Sequence, residues 1–248
     1  MENRGKILAI TGVAAAVLAV ASAGCIQPST GLSFSQRTAV GLDVPQPVAS
    51  DQDDISLDLA SEQSIQRYGP IIRKYSDKYD LDWRLVLAVI RQESSFRPDA
   101  RSRKGAYGLM QIMPGTQAEL MRKLGVPEAQ SPYYNIKAGM YHLKSLYRYF
   151  EEAPGKDRRE LALAAYNAGL SRVRDAQVIV KYLGGKPNSW SDVREAMKLL
   201  SSENKTLHAR VWPSGRPDGG TFKGSVETVN YVESIEQYYE GFKLLALR

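Results

Sequence analysis

The sequence predicts an all-α domain, for three reasons. From Ser61 onward, apolar residues recur at three- and four-residue intervals in several separate segments, which is the spacing of amphipathic helices. Gly, Pro and polar residues separate these segments, and the chain contains neither a strand–helix alternation nor an internal repeat. With 248 residues and an ordinary globular composition, the chain is long enough to bury a core.

The first two predicted helices follow each other closely. The apolar stripe of the first consists of Ile65, Ile71, Ile72, Tyr75 and Tyr79. The second begins after Asp82, whose carboxylate is suited to cap a helix N-terminus. Its apolar stripe contains Val86, Val89 and Ile90, and Glu93 falls on the same face.

Three more helices are predicted in the middle of the chain. The first ends at Gly125, a residue suited to a left-handed C-cap, and its apolar residues are Leu120, Met121 and Leu124. The apolar stripe of the next consists of Ile136, Met140, Leu143, Leu146, Tyr147 and Phe150. Asp157 and Glu160 resemble a capping box at the start of the third, whose apolar residues are Leu161, Ala164 and Ala165.

The C-terminal part contains an insertion and a last helix. Residues 203–225 include several Gly and Pro residues and a β-prone piece at 209–212, which predict a loop or a small β-hairpin. The last helix is marked by Thr228, Tyr231, Val232, Ile235, Tyr238, Tyr239 and Phe242. The predicted architecture is therefore all-α with a small loop or β-hairpin insertion.

The N-terminal residues are predicted to serve export. Arg4 and Lys6 precede an uncharged apolar run over residues 7–23, which is the arrangement of a secretory signal peptide. Residues 21–23 form an A-x-A cleavage site, and residues 23–25 resemble the end of a bacterial lipobox, with Cys25 as the acylated residue. Two or more acyl chains on Cys25 would give stable membrane anchoring. Plain secretion and a retained anchor are the alternatives.

Three segments follow from this assignment. Residues 1–24 are the predicted signal peptide, and residues 61–248 are the predicted folded domain. The intervening residues 25–60 are rich in Ser, Gln, Pro, Asp and Thr and lack helical periodicity, which predicts a flexible tether. Cys25 is the only cysteine of the chain, which excludes an intrachain disulfide.

Charge and composition exclude several kinds of function. The formal net charge of +6 favours an anionic partner, which could be a cell-wall polymer, a lipid headgroup or nucleic acid. The basic residues are scattered, so nucleic acid is the weakest of these. His142 and His208 are far apart and have no neighbours at metal-ligand spacing. Neither a P-loop nor a dinucleotide fingerprint is present, and no cofactor is expected.

Glu93 is the candidate catalytic residue. A carboxyl on the apolar face of a helix is poorly hydrated, which disfavours its ionised form and raises its pKa. Such a group can keep its proton near neutral pH and donate it to a leaving group, as a general acid does in glycosidic cleavage. The alternative is a solvated glutamate at the end of a helix.

Four segments in order resemble the motifs of soluble-lytic-transglycosylase-type enzymes of glycoside hydrolase family 23. They are Glu93-Ser94, residues 105–114 (GAYGLMQIMP), residues 165–169 (AYNAG) and residues 227–232 (ETVNYV). Residues 186–190 (KPNSW) and 195–197 (EAM) are most similar to the catalytic domain of membrane-bound lytic transglycosylase F, a subfamily that typically carries a further module ahead of this domain. The resemblance implies a lysozyme-like, goose-type helical fold over about residues 65–242.

The resemblance also implies an activity on peptidoglycan. The bond cleaved joins N-acetylmuramic acid to N-acetylglucosamine, and the product carries a 1,6-anhydromuramyl end. Glu93 would protonate the bridging oxygen and then act as base on the C6 hydroxyl, so that water is not the acceptor. A second carboxylate of the kind that ordinary glycosidases use is not evident, because Asp99 follows a proline in a loop, Glu119 lies on a polar face and Glu160 resembles a cap.

Supporting residues are implied by the same resemblance. Tyr231 would hydrogen-bond and orient the catalytic carboxyl, and Ser94 would buttress Glu93 or the backbone after it. Gln111 would bind sugar hydroxyl and acetamido groups through its donors and acceptor. The remaining residues of the implied sugar site are Ser102, Met113, Tyr166 and Asn167. Each has a structural alternative, such as a core tyrosine or a gap-filling methionine.

Two other functions remain open at this stage. A muramidase of the same fold would use Glu93 with water as the acceptor. A non-catalytic glycan-binding scaffold would keep the groove without needing a proton donor. The product ends distinguish the first from a lytic transglycosylase, and binding without turnover would identify the second.

Overall fold

Helices account for the fold throughout the described part of the chain. The computed structural model describes residues 59–125 and 131–245. In order, its helices are α1 (Leu59–Tyr79), α2 (Trp83–Ser94), α3 (Pro114–Leu124), α4 (Pro132–Tyr149), α5 (Gly155–Ala168), α6 (Leu170–Tyr182), α7 (Trp190–Lys198), a 3-10 turn (Ser202–Asn204), α8 (Lys205–Val211) and α9 (Ser225–Leu245). Within these residues the only β-type pairings are isolated bridges of Tyr107 with Arg101 and with Ile112. The all-α prediction is confirmed.

Helix α2 lies at the centre of the core. Its residues from Leu85 to Ile90 are at most 3% exposed, so the helix is buried on every side along this stretch. It packs most extensively against α9, while α5 joins α9 to α4 and α6, and α1 covers α2 and α4. The last turn of α2 therefore emerges from the middle of the core, which places Glu93 between several elements.

Both ends of α2 are fixed by hydrogen bonds. At the start, Oδ1 of Asp82 accepts from the backbone N–H of Arg84 at 2.9 Å, which confirms the predicted N-cap. Oδ2 of the same carboxylate accepts from the hydroxyl of Tyr239 in α9 at 2.8 Å. At the other end, Ser95 adopts a left-handed conformation with φ of 48° and donates its N–H to the carbonyl of Arg91. The helix stops there, two residues after Glu93.

The predicted capping box is wrong. Helix α5 begins at Gly155, so Asp157 lies inside its first turn instead of at the N-cap. Oδ1 of Asp157 accepts from the backbone N–H of Trp190 at 2.7 Å, which caps α7 instead. Glu160 faces Lys156 one turn away at 3.5 Å. The local sequence pattern had predicted that the Asp157 carboxylate caps α5, but this carboxylate binds the N–H of Trp190, 33 positions away in sequence.

The predicted insertion at residues 203–225 consists of α8 followed by a loop. The β-prone residues 209–211 lie in α8, so the β-hairpin alternative is wrong, and residues 212–224 have no regular structure. The other predicted helices are present, and Gly125 has the expected positive φ of 60°. The predicted signal peptide, the acylated Cys25 and the tether up to residue 58 lie outside the described residues, while Leu59 and Ala60 are already part of α1. In the described part of the chain, no helix has both the length and the apolar character needed to cross a membrane.

Candidate active site

Glu93 occupies the last turn of α2, on the same face as the core residues Val86 and Ile90. Its side chain is half-buried, and Oε1 accepts a hydrogen bond of 2.6 Å from the hydroxyl of Tyr231 in α9. Burial raises the pKa of Glu93 to about 7, although the Tyr231 hydrogen bond acts in the opposite direction. Near neutral pH the carboxyl therefore exists in both protonation states, which suits a group that must donate a proton and then accept one.

The tyrosines beside Glu93 remain protonated. Burial raises the pKa of both Tyr231 and Tyr166 well above the ordinary tyrosine value, and the nearby Glu93 carboxylate adds to this effect. Tyr231 therefore keeps the hydrogen that it donates to Oε1 of Glu93. Tyr166, near the end of α5, donates to the backbone carbonyl of Met110 at 2.8 Å. One tyrosine thus orients the carboxyl and the other anchors the loop that passes in front of it.

The loop between α2 and α3 is held by side chains from three helices. Ser94 donates to the carbonyl of Leu109 at 2.9 Å and also lies within 3.1 Å of the carbonyl of Ile90. Asn135 of α4, which is 1% exposed, accepts from the N–H of Met110 and donates to the carbonyl of Tyr107, each at 2.8 Å. Together with Tyr166, these contacts fix the backbone that leads to Gln111.

Gly108 is required for this arrangement. Its φ is +80°, and a Cβ built on it would lie 2.6 Å from Cγ of Asn135. Both the backbone conformation and the close approach exclude a side chain at this position. The glycine lets the loop lie directly on Asn135, so the loop is fixed by backbone hydrogen bonds to a buried amide.

Gln111 and Ser102 face the cleft with part of their hydrogen-bonding capacity already used. Gln111 has a φ of 44°, and its Nε2 donates to the carbonyls of Ala100 and Gly108 at 2.9 and 2.8 Å. Both amide hydrogens are engaged, so only Oε1 remains for a ligand. The sequence had predicted that the donors and the acceptor of Gln111 would all bind sugar groups. Oγ of Ser102 accepts from the N–H of Ala106 at 3.0 Å, and its own hydrogen remains free to donate.

Glu93 opens into a cleft of about 750 Å³. The lining residues are Glu93, Ser102, Lys104, Ala106, Gln111, Met113, Tyr166, Asn167, Ala168, Arg172, Phe222, Lys223, Gly224, Glu227 and Thr228. A second hollow of about 460 Å³ shares Glu93, Ser102 and Gln111 with it, and a third of about 480 Å³ shares Met113 and the 166–168 segment. Because they share these lining residues, the three hollows adjoin one another, and we refer to them together as the groove. Glu93 lines two of the three, and such a row of hollows suits an extended chain better than a small ligand.

The structure brings together every residue that the sequence assigned to the site. Six of them line the cleft: Glu93, Ser102, Gln111, Met113, Tyr166 and Asn167. Ser94 and Tyr231 lie behind this surface and contact the loop and the carboxyl. Met113 is 42% exposed, so it presents an apolar surface to the groove instead of filling the core.

Other residues of the site were not predicted. Asn135 was missed, although a polar residue next to the apolar stripe of α4 was the signal that could have found it. Thr228, which is fully buried, donates to Oδ1 of Asn167 at 2.8 Å and leaves the Nδ2 hydrogens of that amide free. Lys104 and Lys223 carried no recognisable pattern, because only the fold brings their two loops to one cleft.

Two further carboxylates line the groove. Asp99 borders the second hollow together with Glu93, and Glu227, in the first turn of α9, borders the main cleft. Neither makes a hydrogen bond with Glu93. Among residues 59–125 and 131–245, no three His, Cys, Asp or Glu side chains are grouped as metal ligands. The ring of His142 packs against that of Tyr166, with 5.3 Å between the ring centres, and Nε2 of His208 contacts the carbonyl of Leu199.

Comparisons with known proteins agree with this geometry. Residues 70–188 match the family model described as "Transglycosylase SLT domain". The chain is 37% identical over 180 residues to a membrane-bound lytic murein transglycosylase F from Desulfosudis oleivorans, covering 72% of this chain and 37% of that protein. It is 34% identical over 182 residues to one from Pseudoalteromonas translucida, covering 73% and 36%. The chain thus matches little more than a third of the length of these relatives.

Solved structures resemble the fold. The 70 kDa soluble lytic transglycosylase from Escherichia coli superposes with a TM-score of 0.50 at 25% identity, covering 72% of this chain and 24% of that one. A 70-kDa soluble lytic transglycosylase in complex with bulgecin A gives a TM-score of 0.51 at 25% identity, covering 76% and 26%. Each superposition covers about a quarter of the longer protein.

Proposed function

We propose that the chain, whose residues 70–188 match the transglycosylase SLT family model, is a peptidoglycan lytic transglycosylase. It cleaves the β-1,4 bond between N-acetylmuramic acid and N-acetylglucosamine and leaves a 1,6-anhydromuramyl end. The observation that carries the proposal is the half-buried carboxyl of Glu93, with a pKa of about 7, held by Tyr231 at the centre of the groove.

In the first step, protonated Glu93 donates its proton to the bridging glycosidic oxygen. The bond between that oxygen and C1 of the muramic acid breaks, and the N-acetylglucosamine side leaves as an alcohol. Positive charge develops on the muramic acid ring, and Glu93 is now a carboxylate that faces this charge. The acetamido group of the sugar itself stabilises the cation, as in substrate-assisted glycosidases.

In the second step, carboxylate Glu93 removes the proton of the C6 hydroxyl, and O6 forms a bond to C1. The ring closes, the carboxyl regains the proton that it gave, and water is not consumed. A pKa near neutrality serves both steps. A carboxyl with a much lower pKa would already be ionised before the first step and would be a weak base in the second, whereas one with a much higher pKa would be a weak proton donor in the first.

The neighbouring residues position the carboxyl and the sugar. Tyr231 keeps Glu93 pointing into the groove. Oε1 of Gln111, the hydroxyl hydrogen of Ser102 and Nδ2 of Asn167 are the polar groups left free to bind hydroxyl and acetamido groups. Met113 supplies an exposed apolar contact for a sugar face.

We also propose that the protein acts in the cell envelope. The relatives are named membrane-bound lytic murein transglycosylases, and the N-terminal sequence has the pattern of an export signal ending at Cys25. Acylation of Cys25 would anchor the chain. Radiolabelled fatty acid incorporated by the unmutated chain but not by Cys25→Ala would support the anchor. Equal labelling of both would contradict it.

One observation favours a second candidate, a hydrolytic muramidase. Asp99 lies in the hollow next to Glu93, where a carboxylate could activate water on the substrate. Digestion of purified peptidoglycan in ¹⁸O-labelled water separates the two reactions by mass spectrometry. A lytic transglycosylase yields anhydro ends without label, whereas a muramidase yields reducing ends that carry one labelled oxygen. Predominant labelled ends would overturn the proposal in favour of hydrolysis.

A further inference from the structure

Two lysines line the cleft beside Glu93 and have no charged partner. Lys104 lies in the loop between α2 and α3, and Lys223 lies in the loop between α8 and α9. Both are exposed, and neither forms an ion pair with another residue of the described segments. Each therefore presents a free ammonium group to whatever occupies the cleft.

The backbone that carries Lys104 is fixed. Two hydrogen bonds of 3.0 Å join Ser102 to Ala106. The N–H of Ala106 donates to the side-chain Oγ of Ser102, and the N–H of Ser102 donates to the carbonyl of Ala106. The N–H of Gly105 donates to the carbonyl of Ser102 at 3.0 Å and closes a tight turn. Lys104 lies inside this turn, next to a serine that also lines the cleft.

The backbone that carries Lys223 is fixed on both sides. The N–H of Phe222 donates to the carbonyl of Leu200 at 2.9 Å, and the guanidinium of Arg172 lies 5.2 Å from the Phe222 ring centre. The carbonyl of Gly224 accepts from the N–H of Thr228 at 3.0 Å, and the hydroxyl oxygen of Thr228 also lies 3.0 Å from it. Lys223 is therefore held at the wall of the cleft, although its loop has no regular structure.

The same loop is anchored further upstream. The N–H of Gly219 donates to Oδ2 of Asp175 at 2.7 Å, and a Cβ at Gly219 would lie 2.9 Å from both that oxygen and Oγ of Ser171. Asp175 is 2% exposed, so the contact is made inside the protein. The loop is thus built to occupy one position on α6.

The charges in the cleft are mainly positive. Arg172 is a third cation there, already engaged with the carbonyl of Ala168, and the carboxyls are those of Glu93 and Glu227. Glu93 begins the reaction in its neutral form. The hydroxyl and acetamido groups of a glycan backbone are uncharged and need no cation, so the two free lysines indicate an anionic group on the substrate.

We propose that Lys104 and Lys223 bind a carboxylate carried by the muramic acid side chain and so make the cleft selective for carboxylate-bearing glycan. The inference rests on the proposed function and specifies its substrate. The carboxylate has two sources: the stem peptide, or the lactyl group itself once the peptide has been removed. Because both lysines are exposed, the interaction is screened by salt.

The test compares three preparations of the same glycan strands. One keeps its stem peptides, one has them removed to expose lactyl carboxylates, and one keeps its stems with every carboxyl converted to a methylamide. The variant Lys104→Gln/Lys223→Gln is compared with the unmutated chain. The control Lys74→Gln/Lys181→Gln removes the same charge from exposed positions outside the groove.

Binding and turnover are both measured. For the cleft variant we expect a rise of roughly tenfold in Kd and KM on carboxylate-bearing strands, with little change in kcat, and a weaker effect at high salt. The methylamide strands should show no such difference. A loss confined to stem-free strands would assign the lactyl carboxylate, and a loss confined to stem-bearing strands would assign the peptide.

Three results would overturn the inference: an unchanged Kd for the cleft variant, an equal loss on methylamide strands, or an equal loss in the control pair. The proposed function fails separately, if the unmutated chain binds the strands without forming anhydro ends. In that case the binding comparison still decides whether these lysines recognise a carboxylate. An unmutated chain that binds none of the strands would contradict both.

Discussion

Replacing Tyr231 with phenylalanine removes one hydrogen bond and leaves the ring in place. That bond, 2.6 Å long, is the interaction that lowers the pKa of Glu93 against the effect of burial. A hydrogen bond to a charged group contributes about 1.5–3 kcal/mol, which corresponds to a shift of roughly one to two pKa units. The pKa of Glu93 should therefore rise above its present value of about 7.

The sign of this shift sets the expected pH profile. In the proposed reaction the first step requires protonated Glu93, so activity should fall as pH rises through the pKa of that group. In Tyr231→Phe the alkaline limb should move to higher pH by about one to two units. The maximal kcat should fall roughly tenfold or more, because the carboxyl is a weaker acid and is less well oriented, while KM changes little.

The assay is the pH dependence of kcat and kcat/KM for release of soluble fragments from purified peptidoglycan. Tyr238→Phe is the matched control, since it lies on the same helix and its hydroxyl makes no hydrogen bond with a described residue. Melting curves establish that both variants are folded. An alkaline limb that stays in place, or moves to lower pH, would refute the view that Tyr231 stabilises the ionised carboxyl.

Three other substitutions test the parts of the structure that support the site. Gly108→Ala should destabilise the fold by about 2–4 kcal/mol in denaturant unfolding, because it combines a positive φ with a clash against Asn135; a loss below about 0.5 kcal/mol would contradict the close packing. Asp82→Ala should cost about 1–2 kcal/mol at neutral pH through the lost N-cap. Burial would raise the pKa of Asp82, but hydrogen bonds from Arg84 and Tyr239 outweigh this effect and lower the pKa below 3.8. The stability difference between Asp82→Ala and the unmutated chain should therefore persist above that pH and disappear as pH falls through the lowered pKa. Asp99→Asn should retain most of the activity if the reaction closes an anhydro ring, and a loss of a hundredfold or more would favour a water-activating base.

The sequence predicted those parts of the site that depend on residues close to one another in the chain. The placement of Glu93 on the core face of α2 follows from helical spacing, and the N-cap at Asp82 is two residues from its partner. The motif residues were identified through the family resemblance, and the fold brings them to one groove. Their individual roles remain predictions until variants are measured.

The parts that were missed depend on contacts between distant segments. Asn135 reaches Met110 and Tyr107 across 25 and 28 positions, and Thr228 reaches Asn167 across 61. The capping box was wrongly predicted for the same reason, because the Asp157 carboxylate accepts a hydrogen bond from Trp190 of another helix. Helices α6 and α7 were not predicted; α7 has only nine residues, and so few turns establish little periodicity.

The sequence alone could not show which hydrogen-bonding atoms of Gln111 are free to bind a ligand. An amide has two donor hydrogens and an acceptor, and sequence alone gives no reason to exclude any of them. The positive φ of Gln111 turns its Nε2 back onto the carbonyls of Ala100 and Gly108, so only the acceptor remains. Such a division of one side chain between loop and ligand depends on the backbone conformation of the folded loop.

The most direct test of the account is Glu93→Gln, which keeps the shape of the side chain and removes its ability to donate a proton. Glu151→Gln, an exposed carboxyl outside the groove, is the control. Formation of anhydromuramyl ends should fall by about a hundredfold to ten-thousandfold in Glu93→Gln, while glycan binding and the melting temperature stay close to those of the unmutated chain. Anhydro ends formed at a comparable rate by Glu93→Gln would show that another group transfers the proton.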